Sequence, residues 1–189
     1  GHRHPPHWEG GKIPHGMDKH PVVNVSFSDA KAYAHWAGKL LPTEIEWARA
    51  AKGASGYPYP YGAKFKDGMS NVMEDSTKAV GHYESLMYSQ KFDPAIFQKS
   101  IQDMSGNVQE WTDSPYDYEW LKKLSETPEP IFNPKNLAKH PLKVVKGGSF
   151  KSSSKTSTTT FRSPVHEDDL NEYTGFRCIF YDKELPFMR

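Results

Sequence analysis

The chain has 189 residues, of which 36% are hydrophobic and 13% aromatic, with 24 Lys and Arg against 23 Asp and Glu. This length suits one domain, and a net charge near zero gives no general attraction to nucleic acid or to an anionic membrane. No apolar run approaches the ~20 residues of a membrane span, so we expect neither nucleic-acid binding nor a spanning segment. The only cysteine, Cys178, excludes an internal disulfide and a site built of several thiolates.

The first part of the chain contains no regular pattern. Residues 1–20 are rich in His and Pro and show no hydrophobic periodicity, which predicts an extended lead-in. The following stretch, PVVNVSF at 21–27, alternates apolar and polar residues and predicts a short half-buried strand.

Two helices are predicted next. The first covers about 28–38, with Ser26 or Ser28 as its N-cap. The second covers about 43–52 and starts at a Thr-x-x-Glu capping box whose first residue is Thr43.

Beyond these helices the predicted elements are short. We expect strands within 103–113, 142–150 and 174–181, the second broken by a Gly-Gly bulge, and short helices near 93–98 and 120–124. Helices early in the chain and short strands late in it predict an irregular, loop-rich α+β domain.

Several large side chains are candidates for the interior. Trp36, Trp47 and Trp111 fall where amphipathic patterns place core rings. Cys178 lies in an apolar strand and is expected to be a buried structural thiol. Arg177 in the same strand is expected to form a buried ion pair or to contact carbonyl groups, because an unpaired buried charge is costly.

Five segments occur in a fixed order: HPVVNVSFSDAKAYAHWAGKLLPTEIEWARAAKG (20–53), YPYPYG (57–62), DMSGNVQEWT (103–112), VVKGGSF (144–150) and GFRC (175–178). Together they resemble the formylglycine-generating enzyme family, also called the sulfatase-modifying factor family. The resemblance implies that family's fold, a large and irregular relative of the C-type lectin domain. Family domains usually begin with a further N-terminal strand of Gly-Gly-x-Phe-x-Met-Gly type, so residues 21–189 resemble the C-terminal two-thirds of such a domain.

The resemblance also identifies what is missing. Active family enzymes oxidise a substrate cysteine with copper and O₂, using two cysteines five residues apart after the Gly-Gly-Ser-aromatic strand. Counting forward from that strand puts Ser152 and Ser157 at those positions, and counting backward from GFRC puts Ser149 and Ser154 there. Cu(I) needs thiolate or thioether ligands, and residues 147–177 contain no cysteine. Neither formylglycine formation nor a copper cofactor is expected.

The family's iron-dependent sulfoxide synthases use a site of three histidines. Here His82, His140 and His166 are isolated from one another, and no His-x₃-His-x-Glu spacing occurs. An iron cofactor is therefore not expected either.

A structural calcium ion is the metal that the resemblance does imply. It makes Asp103 and Glu110 carboxylate ligands and Gly106 and Val108 backbone-carbonyl ligands. Ca²⁺ takes six to eight hard oxygen ligands, and a turn at the glycine lets these groups converge. The alternative is a glycine turn leading into a strand, with two solvated acids.

A second, weaker calcium site of the family would begin at Asn71 and Val72. Its remaining ligands have no clear counterpart, and Asp75 is merely the nearest acid.

Two classes of function remain open. The first is a non-catalytic binding or assembly module, a subunit of a periplasmic, cell-surface or secreted complex, with the Ser/Thr run 152–160 in the former catalytic groove. We expect it to be held by a partner subunit or by the missing N-terminal segment, because without that segment a strand edge and part of the aromatic core should be exposed. The second is an enzyme with a different active site, for which His166, Glu167, Asp168 and Asp169 are the densest titratable cluster. A solvated charged turn is the simpler explanation of that cluster.

Overall fold

The structure is a computed structural model that describes residues 3–53, 55–83, 101–118, 122 and 141–180. Those residues form two α-helices, two 3-10 helices and four strands: a 3-10 helix Glu9–Gly11, α1 Phe27–Trp36, α2 Glu44–Lys52, β1 Gln109–Pro115, β2 Leu142–Lys146, a 3-10 helix Ser154–Thr156, β3 Ser163–His166 and β4 Thr174–Phe176. The helices predicted near 93–98 and 120–124 lie outside the described residues, position 122 excepted.

Both other predicted helices are confirmed, and each begins with a reciprocal capping box. Ser26, and not Ser28, caps α1: its hydroxyl accepts from the Asp29 amide at 3.1 Å, while the Ser26 amide donates to Asp29 Oδ2 at 3.1 Å. At α2, Thr43 and Glu46 make the same pair of bonds at 3.2 and 2.8 Å. Each box satisfies two of the amides that a helix start leaves unpaired.

The strands form one mixed sheet in the order β3-β2-β1-β4. β2 is antiparallel to both of its neighbours, whereas β1 and β4 are parallel. β3 is not predicted from the sequence, because SPVH contains a proline and shows no apolar run. Pro164 faces Val144 across the ladder at the edge of the sheet, where proline is tolerated.

In the residues that the structure describes, two buried clusters form the core. One consists of side chains from α1, the following turn, β1 and β2, namely Phe27, Ala30, Ala34, Leu41, Trp111 and Val145. The other joins α2 to the loop before β1, namely Trp47, Ala51 and Met104. Trp47 and Trp111 are thus confirmed as core rings. The prediction for Trp36 is wrong: it is 80% exposed, because it lies two residues past the buried Ala34, about 200° round the helix.

The strand predicted over 21–27 is also wrong. Residues 21–26 make no ladder, and Asn24 takes a left-handed φ of 56° that interrupts an extended conformation. Its amide donates instead to the carbonyl of Asn171 at 2.9 Å. A β-carbon placed on Gly175 would lie 2.6 Å from Val22 O, so this segment packs directly against β4.

Three strand predictions hold in shortened or shifted form. β1 runs through Pro115, past the predicted end at 113. β2 ends at Lys146, and the two glycines that follow form a turn with φ of 89° and 68° in place of the predicted bulge. The strand predicted to reach 181 ends at Phe176, after which Ile179 pairs with Leu40 in an isolated bridge.

Candidate functional site

We call residues 103–110, which are predicted to bind calcium, the calcium loop; they contain Met104 of the second core cluster and lead into β1. Asp103, Gly106 and Asn107 have left-handed φ of 58°, 79° and 66°. A β-carbon placed on Gly106 would lie only 2.3 Å from the carbonyl oxygen of Asn71, so no other residue fits that position. The loop is consequently pressed against the segment that contains the second predicted calcium site.

Asp103 carries an unsatisfied oxygen. Its Oδ2 accepts a 2.6 Å hydrogen bond from the amide of Gly81, while its buried Oδ1 has no hydrogen-bond partner among the described residues. Burial raises the pKa of Asp103, against the lowering effect of the Gly81 and Tyr83 amides and of Arg177. A buried carboxylate oxygen without a donor is costly, and a hard cation would satisfy it.

The carboxylate of Glu110 accepts hydrogen bonds at both of its oxygens, two at Oε2 and one at Oε1. Its Oε2 accepts from Trp47 Nε1 and from Arg177 Nε, both at 2.5 Å, and its Oε1 accepts from Arg177 Nη2 at 2.6 Å. Burial acts against the charge of Arg177, but the Glu110 carboxylate outweighs this effect and the pKa of Arg177 is raised. Both alternatives predicted for Arg177 are found: it pairs with the buried Glu110 and donates to the carbonyl of Gln102, although its own side chain is 25% exposed.

Asn71 and Val72 are both buried beside this loop. The side-chain nitrogen of Asn71 donates to the carbonyl of Ser76 at 2.9 Å and to Asn107 Oδ1 at 3.1 Å. Its Oδ1 has no partner among the described residues. In the described part of the chain, the two buried side-chain oxygens without a partner thus belong to the first residues of the two predicted calcium sites.

The donor set fits calcium in part. Within the described residues, no group of three or more His, Cys, Asp and Glu side chains comes together as a metal site, so a cation at this loop would depend on the carbonyls of Gly106 and Val108. Asp103 Oδ1 fits as a ligand. A carboxylate has about four lone-pair positions, so Glu110 has room for a cation only at Oε1. Calcium at this loop stays a prediction.

Ser152 and Ser157, the cysteine positions predicted by counting forward from the Gly-Gly-Ser-Phe segment, lie around one glycine. A β-carbon placed on Gly148 would lie 3.1 Å from Ser152 Oγ and 2.9 Å from Ser157 Cα. Ser157 is fully buried and donates to the carbonyl of Ser154 at 3.1 Å, while Ser152 Oγ accepts from the amide of Ser149 at 2.9 Å. Both hydroxyls are used within the fold.

One further residue of the Ser/Thr segment, Thr159, is also bonded to backbone groups. Thr159 Oγ1 donates to the carbonyl of Tyr57 at 3.0 Å, and its amide donates to the carbonyl of Pro58 at 2.8 Å. Ser105 Oγ donates to the carbonyl of Ser157 at 2.9 Å. Ser157 and Thr159 of the segment 152–160, which is predicted to line the former catalytic groove with short hydroxyls, are therefore buried and bonded to backbone groups, whereas Ser153 and Thr160 are exposed.

The other titratable candidates do not form a site in the described part of the chain. His166 Nδ1 lies 3.8 Å from Asp168 Oδ2, and both side chains are largely exposed. Glu167 faces Lys143 at 3.5 Å at the end of β3. His82 packs against its neighbour Tyr83, and His140 lies outside the described residues.

The prediction that Cys178 is buried holds only in part, because its side chain also lines a cavity. It packs, half-buried, against the first core cluster, and burial raises the pKa of its thiol. A raised thiol pKa lowers the thiolate fraction, which suits the predicted structural role.

A cavity of about 1170 Å³ was not predicted from the sequence. Its walls come from the lead-in, α1, Val80, the calcium loop and the residues around β4, including Trp8, Val22, Tyr33, Trp36, Phe176 and Cys178. The Tyr33 ring is tilted by 46° against Trp36 and meets Phe176 edge to face, with ring centroids 5.6 and 5.5 Å apart. We call these three residues the aromatic face; Tyr33 is 51% exposed and Trp36 80%.

Comparisons with known proteins agree with the fold and the motifs. Residues 2–181 match the family described as the sulfatase-modifying factor enzyme 1-like domain. Inactive C-alpha-formylglycine-generating enzyme 2 of Bos taurus is 32% identical over 168 residues, which cover 84% of this chain and 49% of that protein. The formylglycine-generating enzyme of Thermomonospora curvata is 32% identical over 170 residues, covering 84% of this chain and 55% of that protein. The chain therefore belongs to the sulfatase-modifying factor family.

Two further similarities differ in how much of the other protein they cover. The serine/threonine-protein kinase pkn1 of Chlamydia pneumoniae is 33% identical over 164 residues, covering 86% of this chain but only 24% of the kinase. The structure of PvdO from Pseudomonas aeruginosa shares the fold with a TM-score of 0.62 at 20% identity, covering 84% of this chain and 60% of that one. The chain spans about half the length of the formylglycine-generating relatives and about a quarter of the kinase. None of the helices in the described residues has the length and apolar character needed to cross a membrane.

Proposed function

We propose that this chain is a non-catalytic binding or assembly module that docks another polypeptide segment on its aromatic face. The observation that carries the proposal is the exposure of Tyr33 and Trp36 at the wall of a large, mainly apolar cavity. An exposed cluster of large rings beside a cavity is typical of an interaction surface. The segment would come from a partner subunit or from another part of the same protein.

The serine positions support the absence of the family's copper chemistry. Ser152 and Ser157 offer hydroxyl oxygens, and Cu(I) requires softer sulfur ligands. The hydroxyl of Ser157 donates to a backbone carbonyl inside the fold, and that of Ser152 accepts a backbone amide. The inactive relative in Bos taurus shows that catalytically inactive members of this family exist.

A structural calcium ion is part of the proposal. The unpartnered oxygens of Asp103 and Asn71 support it, because oxygen ligands of this kind suit Ca²⁺. A location outside the cytoplasm, in a periplasmic, cell-surface or secreted complex, rests on the family resemblance alone.

An enzyme with a different active site is the alternative. Its candidate groups, from His166 to Asp169, lie on an exposed turn and do not line the cavity. No observation favours this alternative over the binding module.

The test is whether the isolated chain behaves as a protein with an uncovered apolar face. We expect the purified chain to bind anilinonaphthalene sulfonate and to self-associate in sedimentation velocity experiments. Trp36→Ser should reduce the dye fluorescence and the self-association several-fold. Tyr118→Ser is the matched control, because Tyr118 is 76% exposed but lies outside the cavity wall. A chain that stays monomeric, melts cooperatively and binds no dye would overturn the proposal.

A further inference from the structure

The segment 71–83 is hydrogen-bonded to the calcium loop. Asn71 and Gly106 form a parallel bridge, and the amide of Asn107 donates to the carbonyl of Asn71 at 2.9 Å. Further along, the amide of Gly81 donates to Asp103 Oδ2 at 2.6 Å. The segment, which we call the strap, is therefore attached to the loop near both of its ends; between them the amides of Met73 and Glu74 donate to the carbonyls of Ser152 and Phe150.

Asn107 makes the most contacts between the two. Its Oδ1 accepts from Asn71 Nδ2 at 3.1 Å and from the amide of Lys78 at 2.9 Å, and its Nδ2 donates to the carbonyl of Lys78 at 3.2 Å. The residue is 2% exposed and its own carbonyl accepts from the amide of Phe150 at 2.9 Å. The side-chain oxygen and nitrogen of Asn107 thus both have partners, although Asn71 Oδ1 beside them has none among the described residues. Buried side-chain hydrogen bonds of this kind favour one arrangement of the chain.

On its other side the strap holds the wall of the cavity. The amide of Val80 donates to the carbonyl of Lys19 at 2.8 Å, and Thr77 Oγ1 hydrogen-bonds to His20 Nδ1 at 2.7 Å. Val80 and His20 both line the cavity. A continuous set of hydrogen bonds thus runs from the calcium loop through the strap to the lead-in.

We propose that the strap transmits occupancy of the calcium loop to the cavity wall, with Asn107 as the positioning residue. The inference rests on the calcium and docking parts of the proposed function. A cation on Asp103 Oδ1 would fix the carboxylate whose other oxygen holds Gly81, and Asn107 would keep Lys78 and the adjoining Val80 in register with it. Calcium would then favour one arrangement of the cavity wall and so change how the cavity binds its partner.

Amide hydrogen exchange measured by NMR on the full chain tests this at single residues, with calcium or with a chelator added. The reporters are three strap amides. Lys78 donates to Asn107 Oδ1, Val80 to the carbonyl of Lys19, and Gly81 to Asp103 Oδ2. Calcium should slow their exchange at least tenfold more than that of Asp113 and Thr159, whose amides donate to Pro42 and Pro58 away from the strap.

The decisive variant is Asn107→Gly, because glycine accepts the φ of 66° and keeps the backbone hydrogen bonds while removing the side chain. Lys78 and Val80 should lose their calcium response in this variant. Asn107→Asp keeps the acceptor for the Lys78 amide and tolerates the same φ, so it should restore the response of Lys78.

The outcomes distinguish failure of the calcium site from failure of the coupling through the strap. If calcium changes neither exchange nor melting temperature in the wild type, both the calcium site and the strap coupling are wrong. If calcium raises the melting temperature but the strap amides respond no more than Asp113 and Thr159, only the strap coupling is overturned. A full response of Val80 in Asn107→Gly would overturn the role of Asn107.

Discussion

Arg177 clamps Glu110, 67 residues earlier in the sequence, with two hydrogen bonds: Nε donates to Oε2 at 2.5 Å and Nη2 donates to Oε1 at 2.6 Å. Arg177 also donates to the carbonyl of Gln102 at 3.1 Å. β1 and β4 lie side by side with Glu110 opposite Gly175, which brings the two charges together. The clamp therefore joins the parallel strand pair to the start of the calcium loop.

Removing the guanidinium should be strongly destabilising. Arg177→Met would leave the Glu110 carboxylate, whose side chain is only 6% exposed, without its charged partner. The expected loss in the free energy of unfolding is about 3 kcal/mol, measured by urea denaturation. Lys151→Met is the control: its pair with Glu172 is more than half exposed on both sides and should cost less than about 1 kcal/mol. Equal losses in the two variants would contradict the clamp.

Calcium should stabilise the folded chain. Binding to the folded state alone contributes about 2.7 kcal/mol when calcium is a hundredfold above its dissociation constant, so a chelator should lower the melting temperature on the order of 5 °C. Asp103→Ala should abolish this response, because Oδ1 is the unpartnered oxygen of the loop. Ser152→Ala should leave it intact. A full response in the Asp103 variant would show that the acids of the loop are merely structural.

Two thiols introduced at the aligned positions should create a copper site. Ser152 and Ser157 both approach Gly148, so the double variant Ser152→Cys, Ser157→Cys should bind one Cu(I) per chain under reducing conditions. The unchanged chain should bind none in the same titration. The pair Ser149→Cys, Ser154→Cys tests the other alignment and should bind weakly. Tighter binding by that second pair would show that the alignment is shifted by three residues.

Lys146 should make stability rise with pH. Burial lowers the pKa of Lys146 to about 8, while its Nζ donates to the carbonyl of Phe161 and lies 5.6 Å from the Trp47 ring centroid. Between pH 8 and the ordinary lysine pKa, the unfolded chain binds more protons than the folded one, so the free energy of unfolding increases with pH.

The measurement compares the wild type with Lys146→Met from pH 7 to pH 10. The wild type should gain on the order of 2 kcal/mol relative to the variant across this range. Parallel pH profiles for the two proteins would contradict a depressed lysine pKa.

The features of the fold that depend only on residues close together in the sequence could be predicted from it. Both capping boxes are local signals, and Ser26 and Thr43 indeed begin the two helices. Trp36 could not be placed correctly, because a short helix rich in alanine permits more than one buried face. Asn24 takes a left-handed conformation that an alternating pattern does not reveal.

The site depends on contacts between distant residues. A buried pair for Arg177 was expected on energetic grounds, but its partner Glu110 follows only from the parallel pairing of β1 and β4. The cavity requires the lead-in, α1 and β4 to meet, and no local pattern encodes that meeting. Asn107 was missed as well, although an asparagine after the turn glycine Gly106 is a residue type that tolerates left-handed φ.

The most direct test of the central claim, that this chain is a calcium-stabilised family member without redox chemistry, is the metal content of the purified protein. The chain should be offered calcium, copper and iron under reducing conditions, freed of loosely bound ions, and analysed by mass spectrometry for metal per chain. The account predicts about one calcium and no stoichiometric copper or iron. One equivalent of copper or iron, with or without calcium, would contradict it and point to an oxidase.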